Sequence, residues 1–385
     1  MPIAYVSQGR LYLYRPEAPL KEIESVFGKE LQARRLQIQR KQAAKNQGIR
    51  AMTQSPQMLK QMEQSAEALS PVSITSLCTL PNNELLYSLE SEDMGGLFRF
   101  ELDRDRENRI FHNTEFRVSY LDFDPDQSLI ACTKAYKTGS INLATMKPDA
   151  VRPADITEGD SFDLAPKWIG EGALIYQSAG ISRNAQGFVN GRAPFTIEKF
   201  DPKHQQITTL AEDPKSDLLG PQMDGSGRLY YIRRPYKARL GSFNILQALK
   251  EVLLIPFRLV LAVIGFFNAF TQLFTGKPLI TADTYEKVDT QKKLQVWGEA
   301  LSPENIRKKH QTDAEAPSLV PPSWELVRQG VQGIPEVLAK SVLFYDLADD
   351  GSVAYTNGSG VYQISPDGTT QRMTKGKMIE LVKFI

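Results

Sequence analysis

One short pattern recurs along the chain and restricts its fold more than any other feature. A turn former is followed by an apolar or alternating run of four to six residues that ends in an aromatic or small side chain. It stands at Asn82–Ser88 (NNELLYS), Asp126–Thr133 (DQSLIACT), Gly172–Ser178 (GALIYQS), Gly227–Arg233 (GRLYYIR) and Gly351–Thr356 (GSVAYT), with a degenerate copy at Ile3–Ser7 (IAYVS). Apolar runs bounded by Gly, Asp and Asn are strand signals. Successive starts lie about 44, 46, 55 and 124 residues apart, and most of these intervals match the roughly 40–45 residues of one four-stranded propeller blade. The longest interval must hold an insertion. A second strand usually follows, as at Gly96–Leu102 (GLFRFEL), Ser140–Ala144 (SINLA), Phe195–Phe200 (FTIEKF) and Gly360–Ser365 (GVYQIS), and then a short one such as Gln206–Leu210 or Thr370–Thr374. Four strands joined by tight turns make one blade.

The residues around these copies resemble the TolB-like propeller repeat, roughly Pro-x-Trp-x-Pro-Asp-Gly-x-x-Leu-x-Tyr followed by a Leu-Tyr-x-x-Asp strand. Pro166-Lys-Trp168 precedes Leu174-Ile-Tyr176, Phe123-Asp-Pro125-Asp126 precedes Leu129-Ile-Ala131, and Pro221 precedes Asp224-Gly-Ser-Gly-Arg-Leu229-Tyr-Tyr231. Ser365-Pro-Asp-Gly368 falls in a turn between third and fourth strands. The resemblance implies a propeller fold and often a protein-interaction role, and it carries no catalytic residue across. The expected architecture is all-β, a six-bladed TolB-like β-propeller with two mostly helical insertions on one face. Met378–Phe384 (MIELVKF) reads as an innermost strand without a blade of its own, and Ile3–Val6 as a second strand without an innermost partner. Pairing them would close the ring from both termini and leave no open edge.

The propeller is expected to comprise residues 1–25, 72–235 and 323–385, with insertions at 26–71 and 236–322. In an antiparallel blade the first-to-second and third-to-fourth connections leave one face, and the other two leave the opposite face. Val26–Pro71 joins two blades, and Pro235–Ser323 and Ala179–Pro194 join second strands to third strands, so all three excursions should leave the same face. Connections this long are usually functional or disordered. Between Lys29 and Arg50 the first excursion holds seven basic residues, Lys29, Arg34, Arg35, Arg40, Lys41, Lys45 and Arg50, against Glu30 alone. Its composition favours helix, and Gly48 and Pro56 are expected to break it into two. The bland reading is a solvated helical hairpin. The functional one is a basic surface, with Lys237 and Arg239 in the second excursion, for anionic lipid or an acidic partner.

Residues 245–275 carry the strongest single signal. The run ILQALKEVLLIPFRLVLAVIGFFNAFTQLF places Val252, Leu253, Ile255, Phe257, Leu259, Val260, Val263, Phe266, Phe267, Phe270 and Phe274 on or near a broad apolar face, with Gln247, Lys250, Glu251, Arg258, Gly265, Asn268, Ala269 and Gln272 opposite, in an arc made imperfect by Leu254, Leu261 and Ala262. A single span is long enough. However, the chain leaves one blade and must return to it, and no second span brings it back. The favoured reading is a membrane helix lying in the interface, or a shallow hairpin broken near Pro256, with basic flanks suited to anionic headgroups. The bland alternative is a helix packed on the propeller or on a second subunit.

The remaining chemistry is sparse. Lys plus Arg (46) nearly cancels Asp plus Glu (45), which argues against a nucleic-acid binder. Two cysteines, Cys78 and Cys132, make no disulfide framework and read as buried small hydrophobes. His112, His204 and His310 read as solvated. Asp160, Asp163, Asp217, Asp224 and Asp346 lie near blade starts, where they could line a channel and bind a cation but more often cap turns. Trp168 and Trp324 read as packing residues. No nucleophile elbow, phosphate loop or paired-cysteine metal motif is present, so no cofactor or metal is expected. With no export signal visible, the expectation is a non-catalytic binding or scaffold protein on the cytoplasmic side of a membrane. Its partners would be a lipid surface and a protein of unknown identity. The alternatives are a channel enzyme, lactonase-like or metal-assisted, and a soluble oligomeric scaffold with the apolar helix at its interface.

Overall fold

Apolar runs of four to six residues are too short for buried helices and long enough for fully buried strands. In the computed structural model they form the inner strands of successive antiparallel sheets. It describes residues 1–50, 72–91, 94–114, 116–149, 152–237, 294–297, 299–301, 316–330 and 333–385.

The first sheet pairs β1 (Ile3–Ser7) with β2 (Arg10–Tyr14), β2 with β3 (Lys21–Ile23), and β1 on its other edge with the C-terminal strand β27 (Ile379–Phe384). The next contains β4 (Ser73–Leu80), β5 (Glu84–Ser91), β6 (Met94–Glu101) and β7 (Arg106–Asn113) in that order. A nine-stranded assembly follows. It joins β8 (Val118–Asp124), β9 (Leu129–Ala135), β10 (Ile141–Met146) and the short β11 (Ala154–Asp155) to β12 (Ser161–Trp168), β13 (Leu174–Arg183), β15 (Thr196–Asp201) and β16 (Gln206–Ala211). A single parallel bridge, Ile141 to Phe162, connects its two halves, and β14 (Val189–Arg192) folds back on β13 as a side hairpin. Then come β17 (Ser216–Met223), β18 (Leu229–Pro235), β21 (Glu325–Gln329) and β22 (Glu336–Lys340), and finally β23 (Phe344–Leu347), β24 (Val353–Thr356), β25 (Gly360–Ile364) and β26 (Thr370–Lys375). The hairpin of β19 (Leu294–Val296) and β20 (Glu299–Leu301) pairs with no other strand among the described residues.

The innermost strands β4, β8, β12, β17, β23 and β27 each lie against the next, and β27 lies against β4, so the sheets close on themselves. This is an all-β, propeller-like architecture, sealed by the β1–β27 pairing that the terminal sequences predict. Closure removes free inner edges. Second strands are buried almost throughout, as in Leu85–Leu89 and Leu229–Ile232, whereas outer strands such as β7 and β16 are largely exposed. Neighbouring sheets share their cores: Leu77, Leu85, Tyr87 and Phe98 pack with Ala4, Val6, Leu11 and Leu381.

Three inner strands carry the same irregularity. Tyr120, Ala165 and Gly220 have left-handed backbones (φ 51°, 52° and 59°), and at each the register with the second strand slips. These are β-bulges, which re-aim the residues that follow. Two positions later stand Asp122, Lys167 and Gln222.

One helix is present among the described residues, α1 (Val26–Arg50). It runs through Gly48, which corrects the expected break there. A glycine costs roughly 1 kcal/mol in a helix, and the Ala, Gln, Lys and Arg around it offset that locally. Pro56 and residues 245–275 lie outside the described residues. Among the described residues no helix is long and apolar enough to cross a membrane.

Candidate functional site

The inner strands converge on a channel whose centre is a cavity of about 50 Å³. Its wall takes Ser76 from β4, Tyr120 from β8, Lys167 from β12, Gly220 from β17, Tyr345 from β23 and Leu381 from β27. Trp297, at the apex of the β19–β20 hairpin, enters from one end and is 3% exposed. Its ring stacks on Tyr120 (centroids 5.1 Å apart) and on Phe344 (5.6 Å), and its Nε1 donates to the Leu343 carbonyl at 2.9 Å. Gly220 makes room for it, since a Cβ there would lie 3.1 Å from the indole. Burial raises the Tyr120 phenol well above its ordinary value.

A buried ionic network supports Trp297. Arg234, with no exposed surface, donates to the Trp297 carbonyl at 3.0 Å and to Asp217 at 3.0 Å, and its guanidinium lies over the Trp324 ring. Arg192 grips the same carboxylate with two nitrogens at 2.7 Å each, and the Phe195 amide donates to it at 3.1 Å. Burial alone would push the Asp217 pKa up. The Arg192 hydrogen bond and both guanidinium charges outweigh it and hold the carboxyl below its ordinary value. Above Trp297 opens a pocket of about 650 Å³ walled by Phe162, Leu164, Phe195 and the β14 segment, with Arg192 and Lys237 on its lining.

The opposite mouth is a polar basin of about 700 Å³. At its floor, paired charges lock neighbouring sheets. Asp122 accepts from Lys167 Nζ (2.6 Å) and the Trp168 amide (2.9 Å) of the next sheet. Asp346 repeats this with Lys383 Nζ (2.8 Å) and the Phe384 amide (2.9 Å). Gln222 does the same job without charge, donating to the Tyr345 carbonyl and accepting from the Leu347 amide. Burial alone would pull the Lys167 pKa down, but the Asp122 and Asp346 carboxylates hold it above the ordinary lysine value. An amine kept protonated in this way is no general base at neutral pH. Asp124, Asp126, Asp224, Asp349 and Asp350 surround the floor.

The sequence-derived candidates divide between several places. Lys29 pairs with Glu24, and Arg35 donates to Ser91 at the end of β5. Arg34 and Lys41 are exposed on α1, while the side chains of Arg40, Lys45 and Arg50 lie outside the described set. Lys237 is exposed beside the Trp297 pocket. Arg239 and every apolar residue from Val252 to Phe274 lie outside the described residues, as does His310. Asp224 caps its turn, as expected, receiving the Ser226 and Arg228 amides, and these bonds hold its pKa down to about 2 despite partial burial. Asp160 pairs with Arg183, and Asp163 accepts from Ser161 and Ser178. Asp217 and Asp346 do not cap turns but tie separate segments together. His204 sits exposed beside Asp201, and His112 is exposed on β7 against Phe27. Trp324 is buried, and Trp168 is half-buried. Cys78 and Cys132 are buried, and burial pushes both thiols up to about 12. Among the described residues no three His, Cys, Asp or Glu converge as metal ligands. Trp297, Asp122, Lys167, Gln222 and Lys383 were not singled out by sequence reasoning as site residues.

No family model and no curated protein matches this sequence. Solved structures do match its fold. A TolB from Acinetobacter baumannii aligns with a TM-score of 0.52 at 12% identity, over 99% of this chain and 66% of that one. A nidogen/laminin complex aligns with a TM-score of 0.52 at 8% identity, over 100% of this chain and 98% of that chain. The chain thus spans just under two-thirds of the TolB it resembles. With the closed succession of sheets around one channel, these likenesses show that the chain has a β-propeller fold.

Proposed function

We propose that this is a non-catalytic binding protein, a six-bladed propeller held on a membrane surface by the face that carries its insertions. What supports this reading is where the described parts of the excursions lie. Helix α1 reaches Ser91, where the second strand of its sheet ends. The β13–β14 hairpin and the Trp297 hairpin meet at one channel mouth. Val26 and Ile38 on α1 and Phe188 before β14 are 59%, 49% and 71% exposed, and α1 also carries the exposed basic residues Arg34 and Lys41. Isolated exposed apolar residues are ordinary. Combined with basic side chains on one face, they suit an anionic lipid surface. The apolar segment 245–275 begins and ends in the same connection, so a helix lying in the interface returns the chain to its own blade. The opposite basin, with its ionic floor already paired, is left open to a protein partner.

Flotation of the purified chain with phosphatidylglycerol vesicles tests the proposal. The intact protein should float, and a deletion of Ser242–Gly276 should remain in the dense fraction. Phe188→Ser should weaken vesicle affinity by roughly tenfold, the order of one aromatic side chain removed from an apolar contact. A deletion that floats as well as the intact chain would sink the reading.

A further inference from the structure

The Trp297 hairpin is joined to the propeller in an unusual way. Among the described residues its strands pair only with each other. Trp297 meets the ring through its side chain and through its own carbonyl. That residue has a left-handed backbone (φ 52°), which is strained for a bulky side chain. The seat, by contrast, is built. Tyr120 and Phe344 present parallel faces, tilted 18° and 8° from the indole, and the Leu343 carbonyl is placed to receive Nε1. Two of the three inner-strand bulges supply residues that touch the ring, Tyr120 and Gly220. Beneath lies the 50 Å³ cavity, and beyond it the Asp122–Lys167 and Asp346–Lys383 pairs.

We propose that the channel contains a recognition site for a planar aromatic N–H group, filled in cis by Trp297, and that the hairpin is a removable plug. Seated, it closes the channel from the insertion face and ties the insertion to the propeller. Withdrawn, it relieves its backbone strain and leaves two aromatic faces and one carbonyl acceptor for an indole-like group of another molecule. A strand pair that joins no blade sheet among the described residues can open locally without disturbing the ring. This inference does not depend on what the insertion binds.

Hydrogen exchange of the wild-type protein tests it, with peptides covering Leu294–Leu301 compared with Ser216–Met223 of β17. The hairpin should exchange about 100-fold faster than β17, the signature of local rather than global opening. Millimolar indole should accelerate it further by competing for the seat. Calorimetry on Trp297→Ala should show indole binding to the vacated seat, and Trp297→Phe should bind less. Equal exchange in the two segments would overturn the proposal. So would a fast hairpin that indole leaves unchanged, or a folded Trp297→Ala protein that binds no indole.

Discussion

Replacing Asp217 with alanine should destabilise the fold by about 3–5 kcal/mol, the cost of leaving a buried charge without its partner. One carboxylate, with no exposed surface, answers Arg234, Arg192 and the Phe195 amide. Its loss strands a guanidinium that has no exposed surface of its own. For a chain of this size that is a drop of roughly 4–6 °C in unfolding midpoint, readable by calorimetry. The pH dependence has a definite sign. The folded carboxyl is held below its ordinary value of 3.8, so its contribution is present above that pH and fades as the pH falls through the folded value. The difference between wild type and variant should hold from neutral to about pH 4 and shrink below it. An unchanged midpoint at pH 7 would contradict the network. Because Arg234 also holds the Trp297 carbonyl, the variant should loosen the hairpin as well.

The second large effect comes from a position with no polar chemistry. Gly95 lies on β6, where that strand meets the segment leading into β8. A Cβ added there would sit 1.6 Å from the Phe116 carbonyl oxygen. Backbone cannot yield as a flexible side chain can, so two sheets must move apart. Overpacking of this kind costs about 3 kcal/mol or more, and Gly95→Ala should lower the denaturant midpoint accordingly. Gly225→Ala, where nothing lies within 4 Å, serves as the control. A Gly95→Ala midpoint equal to that of the control would show that the two sheets approach less closely than described.

These positions show what a sequence can and cannot announce. The second strands were legible because they are buried on both faces and so read as continuous apolar runs, as in Leu229-Tyr-Tyr-Ile232. The closure was legible because each terminus carried a strand that lacked a partner. Outer strands such as Arg106–Asn113 were not, since exposure removes their apolar signature. The Asp122–Lys167 and Asp346–Lys383 latches escaped because they depend on how adjacent sheets meet, and for Asp122 and Lys167 also on bulges at Tyr120 and Ala165. Trp297 escaped for a different reason. It stands in a short run, LQVWGEAL, that is too brief for a periodicity to mark it, and its importance arises only where Tyr120 and Phe344 converge. Its sole cue was a tryptophan in a short, mostly apolar run within an otherwise unexplained insertion. Gly48 misled because its cost is small beside the helix propensity around it.

The central claim is that the insertion face meets lipid and the polar basin faces away from it. A polarity-sensitive fluorophore on a single added cysteine tests this directly, at Gln186→Cys beside Phe188 or at Asp349→Cys on the basin rim. Both positions are exposed, and the buried thiols of Cys78 and Cys132, pushed up to about 12, will not compete for label. On phosphatidylglycerol vesicles the label at 186 should shift to the blue and the label at 349 should remain in water. A shift at 349 with none at 186, or no shift at 186 in protein that floats, would contradict the account.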